Sequence, residues 1–205
     1  MMIQDISIPL RPALAVWPGD APFTFHLGWS MNNGDSVNVG QASLSVHTGT
    51  HIDAPFHFDA SGQKAGELNL AAYLGPAVVV NAVGQWEIGR EVFATVDLTR
   101  TPRVLVRTLA WTNHEQFPER VPTLAPDVPE WLGSQGVVLL GVDVPSVDAV
   151  DSKTLPLHRA LHRANICILE SVDLRNVEPG EYQLSALPLR LMDADGSPVR
   201  AILYR

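Results

Sequence analysis

Two stretches, "PEWLGSQGVVLLGVDV" at residues 129–144 and "LPLHRALHRANICILESVDL" at residues 155–174, decide the fold. Each joins a segment able to form a short helix to an apolar, β-branched run that reads as a strand. The runs are apolar on both faces, as strands buried inside a sheet are. Helix feeding strand twice in succession is an α/β pattern. Thr154, just before the second stretch, can cap its helix, Pro156 suits the first turn, and Leu157 and Leu161 lie one turn apart. The first helix is expected to end near Gly136. Outward from this pair, "ISIPL" (6–10), "GPAVVVNAV" (75–83) and "RVLVRT" (103–108) read as further strands, and "LNLAAYL" (68–74) as a short helix. The N-terminal half is richer in strand. The expectation is an α/β protein with a mixed β-sheet core and a few flanking helices, in a single domain spanning 1–205.

Composition narrows the function classes. The 205 residues are 46% hydrophobic and 18% charged, the balance of an ordinary globular protein. No internal repeat or linker divides the chain, and one cysteine, Cys167, excludes a disulfide framework or a cysteine-rich zinc site. Cys167 sits in the apolar run "NICILE" and reads as a core residue. No signal peptide is visible, and no run approaches the roughly 20 apolar residues of a membrane span. A cytoplasmic protein is expected. A formal charge of −8 without a basic patch disfavours nucleic acid and favours a neutral or cationic small molecule.

The chemistry concentrates in "HTGTHIDAPFHF", residues 47–58, with three histidines and an aspartate and no charged partner for them. In an extended backbone His47, His51, Asp53 and His57 share one face. Four residues of straight strand cover about 13 Å, too far for two ligands that must each lie about 2 Å from one ion. The backbone must therefore bend between His47 and His51, and Gly49 permits it by accepting positive φ. Thr48 and Thr50 can satisfy the peptide groups of the bend. A divalent cation would supply the missing charge partner. Nitrogen and oxygen ligands without thiolate point to zinc, with manganese or iron as alternatives.

A second group lies in residues 155–174: His158, His162 and Glu170. Glu170 ends a buried run, so its carboxylate needs either a metal or an arginine, with Arg159, Arg163 and Arg175 available. His158 and His162 are four apart, and spacing does not choose between them.

These residues carry a resemblance. The pattern H-x-G-T-H-x-D-x-P-x-H, with "GVDVPSVD" (141–148), "LPLHRALHRANICILE" and "VWPGDAPF" (16–23), resembles the cyclase-type metal-dependent amidohydrolases. Within that family the chain is similar to the arylformamidase branch. The resemblance implies a swivelling β/β/α fold and two zinc ions. His47, His51 and Asp53 would bind the first ion, with Asp53 bridging to the second. His158, rather than His162, would bind the second ion, and Glu170 would contact both. His57 would be the general acid/base and Trp17 a substrate contact. The implied reaction is hydrolysis of an aromatic formamide, N-formyl-L-kynurenine, to L-kynurenine and formate. The residues suit it: bound zinc can bring water's pKa near 7, a second ion can hold the developing oxyanion, and His57 can protonate the leaving nitrogen. Trp17, Phe56 and Phe58 could wall an aromatic ring. Alternatives are a cyclic-amide hydrolase of the isatin-opening kind and a metal-binding protein without catalysis. The apolar stretch "PLRPALAVWPGDAPF" (9–23) could cover a neighbouring copy, so a homodimer is expected.

Overall fold

The computed structural model describes residues 2–205. In chain order its strands are β1 (Ile3–Asp5), β2 (Thr24–Trp29), β3 (Val39–Ser43), β4 (His51–Asp53), β5 (Leu74–Asn81), β6 (Glu87–Ile88) and β7 (Arg103–Arg107). They continue with β8 (Thr123–Leu124), β9 (Leu139–Val142), β10 (Cys167–Glu170), β11 (Gly180–Ser185), β12 (Gly196–Pro198) and β13 (Ile202–Tyr204). The α-helices are α1 (Val128–Ser134) and α2 (Pro156–Arg163). Nine strands form one sheet in the order β1-β13-β11-β5-β7-β9-β10-β4-β12. Its centre, β5-β7-β9-β10, is parallel, and the strands on either side run antiparallel. This is the α/β architecture with a mixed sheet that the helix–strand pairs predict.

The parallel centre is apolar on both faces because each face has its own cover. Val78, Val104, Leu140 and Ile168 lie side by side in register. They join the core beneath α1 and α2, with Val128, Leu132, Leu157 and Leu161. The alternate residues Val79, Leu105 and Leu169 face a second core. That core includes Ile6, Ile52, Leu174, Tyr182, Leu184 and Leu203, drawn from strands at both ends of the sheet. The sheet therefore curls over its second face. A bridge between Ser7 and Val172, with the Asp173 N–H donating to the Ile6 carbonyl, ties the two ends together. Fully burying one such Leu or Val stabilises the fold by roughly 1.5–3 kcal/mol, so the two cores dominate the surface ion pairs, each worth about 0–1 kcal/mol.

Four local expectations are corrected. "ISIPL" (6–10) is not a strand: β1 ends at Asp5, and Ser7 makes only the isolated bridge to Val172. "LNLAAYL" forms only a 3-10 turn, Leu70–Tyr73, where the Asn69 side chain accepts the Ala71 N–H before the chain enters β5. Thr154 does not cap α2. The residue before the helix is Leu155, held at φ 49°, and the Asp148 carboxylate accepts the N–H groups of Leu157 and His158. An ionised carboxylate is the stronger acceptor there and suits the positive end of the helix. Cys167 is half-buried rather than sealed in the core. Among the described residues, no helix is long and apolar enough to cross a membrane.

Candidate metal and active site

The bend expected between His47 and His51 is present. Residues 45–50 form a turn with Gly49 at φ 67°, and β4 begins only at His51. A Cβ on Gly49 would meet only the movable tip of the Leu10 side chain, so it is the φ that favours glycine here. The threonines act differently from expectation. Thr50 Oγ accepts the Ile8 N–H and donates to the Ser171 carbonyl, pinning the turn to neighbouring segments. The buried Thr48 hydroxyl has no hydrogen-bond partner among the described residues. His57 is not on an extended strand: Pro55–His57 is a 3-10 turn, with proline at its start. That turn carries the His57 ring back over the cluster, 4.1 Å from the His47 ring and 5.9 Å from that of His158.

Sheet register assembles the rest. In the β4–β10 pair, His51 lies opposite Glu170 and Asp53 opposite Ile168. Helix α2 brings His158 over the same end. Asp53 sits at the centre, its Oδ1 facing His47 Nδ1 at 3.1 Å and His51 Nε2 at 3.5 Å, and its Oδ2 facing His158 Nε2 at 3.3 Å. Glu170 repeats the division, with Oε2 3.4 Å from His51 Nε2 and Oε1 3.5 Å from His158 Nε2. Two nests result, His47–His51–Asp53 and Asp53–His158–Glu170, sharing Asp53. In each, the offered ligand atoms lie within 4.8 Å of one another. The side chains of His51, Asp53, His158 and Glu170 are each at most 5% exposed.

Whether these residues fit a divalent cation is decided by their unmet atoms. Both Asp53 oxygens and His51 Nε2 are buried without a hydrogen-bond partner. A buried carboxylate left so is costly. Neither lysine nor arginine lines the pocket over the cluster. The arginines offered by sequence are engaged elsewhere or exposed: Arg175 with Asp173, Arg159 with the Thr154 carbonyl, and Arg163 on the outer face of α2. Glu170 Oε1 instead accepts the Val147 N–H. Imidazole and carboxylate donors around two adjoining gaps fit a pair of divalent ions. The tautomers agree with this. His51 Nδ1–H donates to the Gly49 carbonyl and His158 Nδ1–H to Asp148 at 2.7 Å, which leaves each Nε2 lone pair facing the gaps. His162 is exposed and packs edge-on against Phe58 at 5.6 Å, apart from the cluster.

Electrostatics follow the same division. Burial opposes charge on His51, but the Asp53 and Glu170 carboxylates beside it outweigh that and push its pKa up to about 10. His158 rises to about 10, burial being overcome by Asp148 and Asp53, and His47 to about 9, burial being overcome by Asp195 and Asp53. Burial would raise the Asp53 carboxyl, yet its three histidine partners hold it well below the ordinary range. His57 differs: burial lowers its pKa below 6.5, leaving it a neutral base near pH 7.

Above the cluster is a pocket of about 310 Å³. Trp17 lies on its wall, packed edge-on against Phe117 at 5.2 Å, with Trp111 beside them. Phe56 and Phe58 do not line it. Phe58 is buried against His158, and Phe56 lies under the Lys64 ammonium. Two acids in the assembly had no assigned role in the sequence reading. Asp148 orients His158, and its place in "GVDVPSVD" was the available signal. Asp195 Oδ2 lies 3.0 Å from His47 Nε2 and 3.5 Å from His57 Nδ1, from 138 residues beyond His57 in the chain. Nothing local in the sequence marks it.

Adjoining nests of imidazole and carboxylate on the floor of an aromatic-walled pocket define the class, a metal-dependent hydrolase. A family model described as a putative cyclase matches residues 4–149, and the chain belongs to that family. Within it the chain stands beside proteins named kynurenine formamidase. The one from Geobacillus thermodenitrificans is 50% identical over 201 residues, covering 98% of this chain and 96% of that protein. The one from Bacillus cereus is 47% identical over 199 residues, covering 97% and 95%. The fold is shared with isatin hydrolase A from Ralstonia solanacearum, with a TM-score of 0.81 at 24% identity over 98% of this chain and 91% of that one.

The raised histidine pKa values predict a pH dependence. Each raised group stabilises the metal-free protein fully below about pH 6.5, and that contribution is lost as the pH climbs through 9 to 10. Divalent ions would replace those protons. Thermal melts are expected to show zinc raising the midpoint of the metal-free protein more at pH 8.5 than at pH 6. An equal gain at both pH values would contradict the assignment.

Proposed function

We propose that this chain hydrolyses N-formyl-L-kynurenine to L-kynurenine and formate, at a site holding two zinc ions. The observation that carries the reading is the shared Asp53 between two buried nests, in a chain half identical to a kynurenine formamidase over nearly its whole length. His47, His51 and Asp53 would hold one ion, and Asp53, His158 and Glu170 the other. When bound, the ions supply polarisation of the formyl carbonyl and acidification of a water molecule.

The chain's own residues do the remainder. His57, neutral near pH 7, takes a proton from the attacking water and delivers one to the departing aniline nitrogen. The water oxygen joins the formyl carbon, the C–N bond breaks, and the resulting formic acid ionises to formate. Trp17, Trp111 and Phe117 offer flat apolar walls to the aromatic ring and exclude water from it. Asp148 holds the ring of His158 in place. Chelation is expected to abolish formate release, with added zinc restoring it. His57→Ala should lose about 10²–10⁴-fold in kcat while elemental analysis still finds two ions per chain. Full turnover in that variant would remove His57 from its role, and a chain that binds metal but releases no formate would leave the cyclic-amide and metal-binding readings.

A cyclic-amide substrate of the isatin kind is the second reading, supported by the shared fold alone. One pocket residue separates the two. Asp20, in a turn where its N–H donates to the Trp17 carbonyl, lines the same pocket and is a carboxylate outside both nests. N-formyl-L-kynurenine carries an ammonium group for it to meet, whereas isatin carries none. Asp20→Asn is expected to raise KM for N-formyl-L-kynurenine by about 5–20-fold, the loss of one charge-assisted hydrogen bond, and to leave KM for formanilide unchanged. Preference of the unaltered protein for isatin would reverse the order of the two readings.

The same reading includes a homodimer. The stretch 9–23 is partly exposed, with Leu10 and Trp17 at its surface. The β2–β3 hairpin adds a larger apolar surface: all its residues are exposed, and Phe25, Leu27 and Trp29 alternate along β2. A two-stranded hairpin with no cover is marginal by itself, and a second copy would cover it. Sedimentation is expected to give two chains per particle, and Leu27→Asp with Trp29→Asp to give one. A single chain per particle before substitution would refute the dimer.

A further inference from the structure

Asp195 lies outside both nests, yet one of its oxygens meets two of the site's histidines. Its position is set by the backbone rather than by chance contact. The Asp195 carbonyl accepts the Ala54 N–H, and the next residue, Gly196, opens β12 directly opposite Asp53 of β4. The strand carrying Asp195 is therefore locked beside the strand carrying the histidine motif. Gly196 is part of the same fit, since a Cβ there would lie 2.9 Å from Cε1 of His47 and equally close to the Ile52 carbonyl. The His47 ring rests in the space a side chain would occupy.

We propose that Asp195 is a positioning residue for the hydrolysis, a single carboxylate that fixes the tautomer and orientation of His47 and His57 together. Its Oδ2 accepts Nε2–H of His47, leaving the His47 Nδ1 lone pair facing Asp53 and the first cation position. The same oxygen accepts Nδ1–H of His57, so Nε2 is the His57 nitrogen left free to exchange protons with substrate and water. During the reaction His57 Nε2 gives its proton to the aniline nitrogen as the C–N bond breaks, while Asp195 remains anionic. An anion held against Nδ1 stabilises the imidazolium that forms between the two proton transfers, much as a buried aspartate orients the histidine of a hydrolytic triad. The chain's lysines and arginines leave the carboxylate to the histidines: Lys64 pairs with Asp193 two residues away, and no guanidinium lies within ion-pair distance of Asp195 among the described residues.

This inference rests on the formamidase reading and on His57 as proton carrier. The test uses the full-length, zinc-loaded protein and its Asp195→Asn and Asp195→Glu variants. Metal content is measured alongside kcat and KM for N-formyl-L-kynurenine and for ring-substituted formanilides of graded leaving-group basicity. For Asp195→Asn the expected result is two ions per chain, KM within about 2-fold, and kcat lower by about 10–100-fold, the usual range for an outer-shell partner. The deficit should shrink steadily as the leaving aniline becomes less basic and needs less proton assistance, and Asp195→Glu should recover part of kcat. A deficit of equal size across the series, a loss of one ion, or a change in KM with kcat intact would each overturn the proposal. If the unaltered protein releases no formate from any of these amides, the formamidase reading fails instead, and the two failures are separate results.

Discussion

Two carboxylates, Asp53 and Glu170, lie buried beside one another with imidazoles for company and, among the described residues, no lysine or arginine paired with either. Everything else in the site answers to that constraint. Coulomb repulsion between such groups, and the desolvation of each, cost several kcal/mol unless positive charge is supplied. The protein arranges that charge by position rather than by a lysine or arginine. His51 and His158 turn one nitrogen to a carbonyl or carboxylate and the other inward, so the gap is lined with lone pairs. Protons can fill it in part, which is why these histidines titrate so high. Divalent ions fill it better. The fold thus stores an electrostatic demand that a small, highly charged partner would meet, and such a partner would polarise a carbonyl and acidify water there.

The cost of that demand is met by the two hydrophobic cores. Ile52, between His51 and Asp53, is fully buried in the core on the other face of the sheet, and Leu169 anchors Glu170 in the same way. Leu157 and Leu161 hold α2 down while His158 reaches the cluster. Asp148 does two jobs at once, capping the helix and fixing the ring of the histidine on its first turn. The helix end and the site are therefore mechanically one unit.

How much of this the sequence disclosed depends on how far apart the interacting residues are. The β-branched runs declared the parallel strands because burial on both faces leaves no polar alternation to confuse. The histidine motif declared its bend because ligand geometry is incompatible with a straight strand, and glycine stood where the bend had to be. Local alternation failed at Pro55, where a proline starts a 3-10 turn instead of continuing the strand. The cap on α2 was misassigned to the adjacent Thr154 because the winning acceptor, Asp148, arrives by the path of a loop. The β2–β3 hairpin escaped notice because neither of its faces meets a core within the chain. Asp195 was illegible for a plainer reason: its partners are set by the β4–β12 register, which no short window of sequence contains.

That register has a further consequence. Strand β4 is three residues long and is gripped on both sides, by β10 and by β12. Sliding it by a single position would expel Ile52 from oil into the pocket floor and drive an imidazole and a carboxylate into the greasy interior. Misalignment is thus punished by solvation long before any chemistry is attempted. In this protein the packing of hydrocarbon acts as the proofreader of an ionic site.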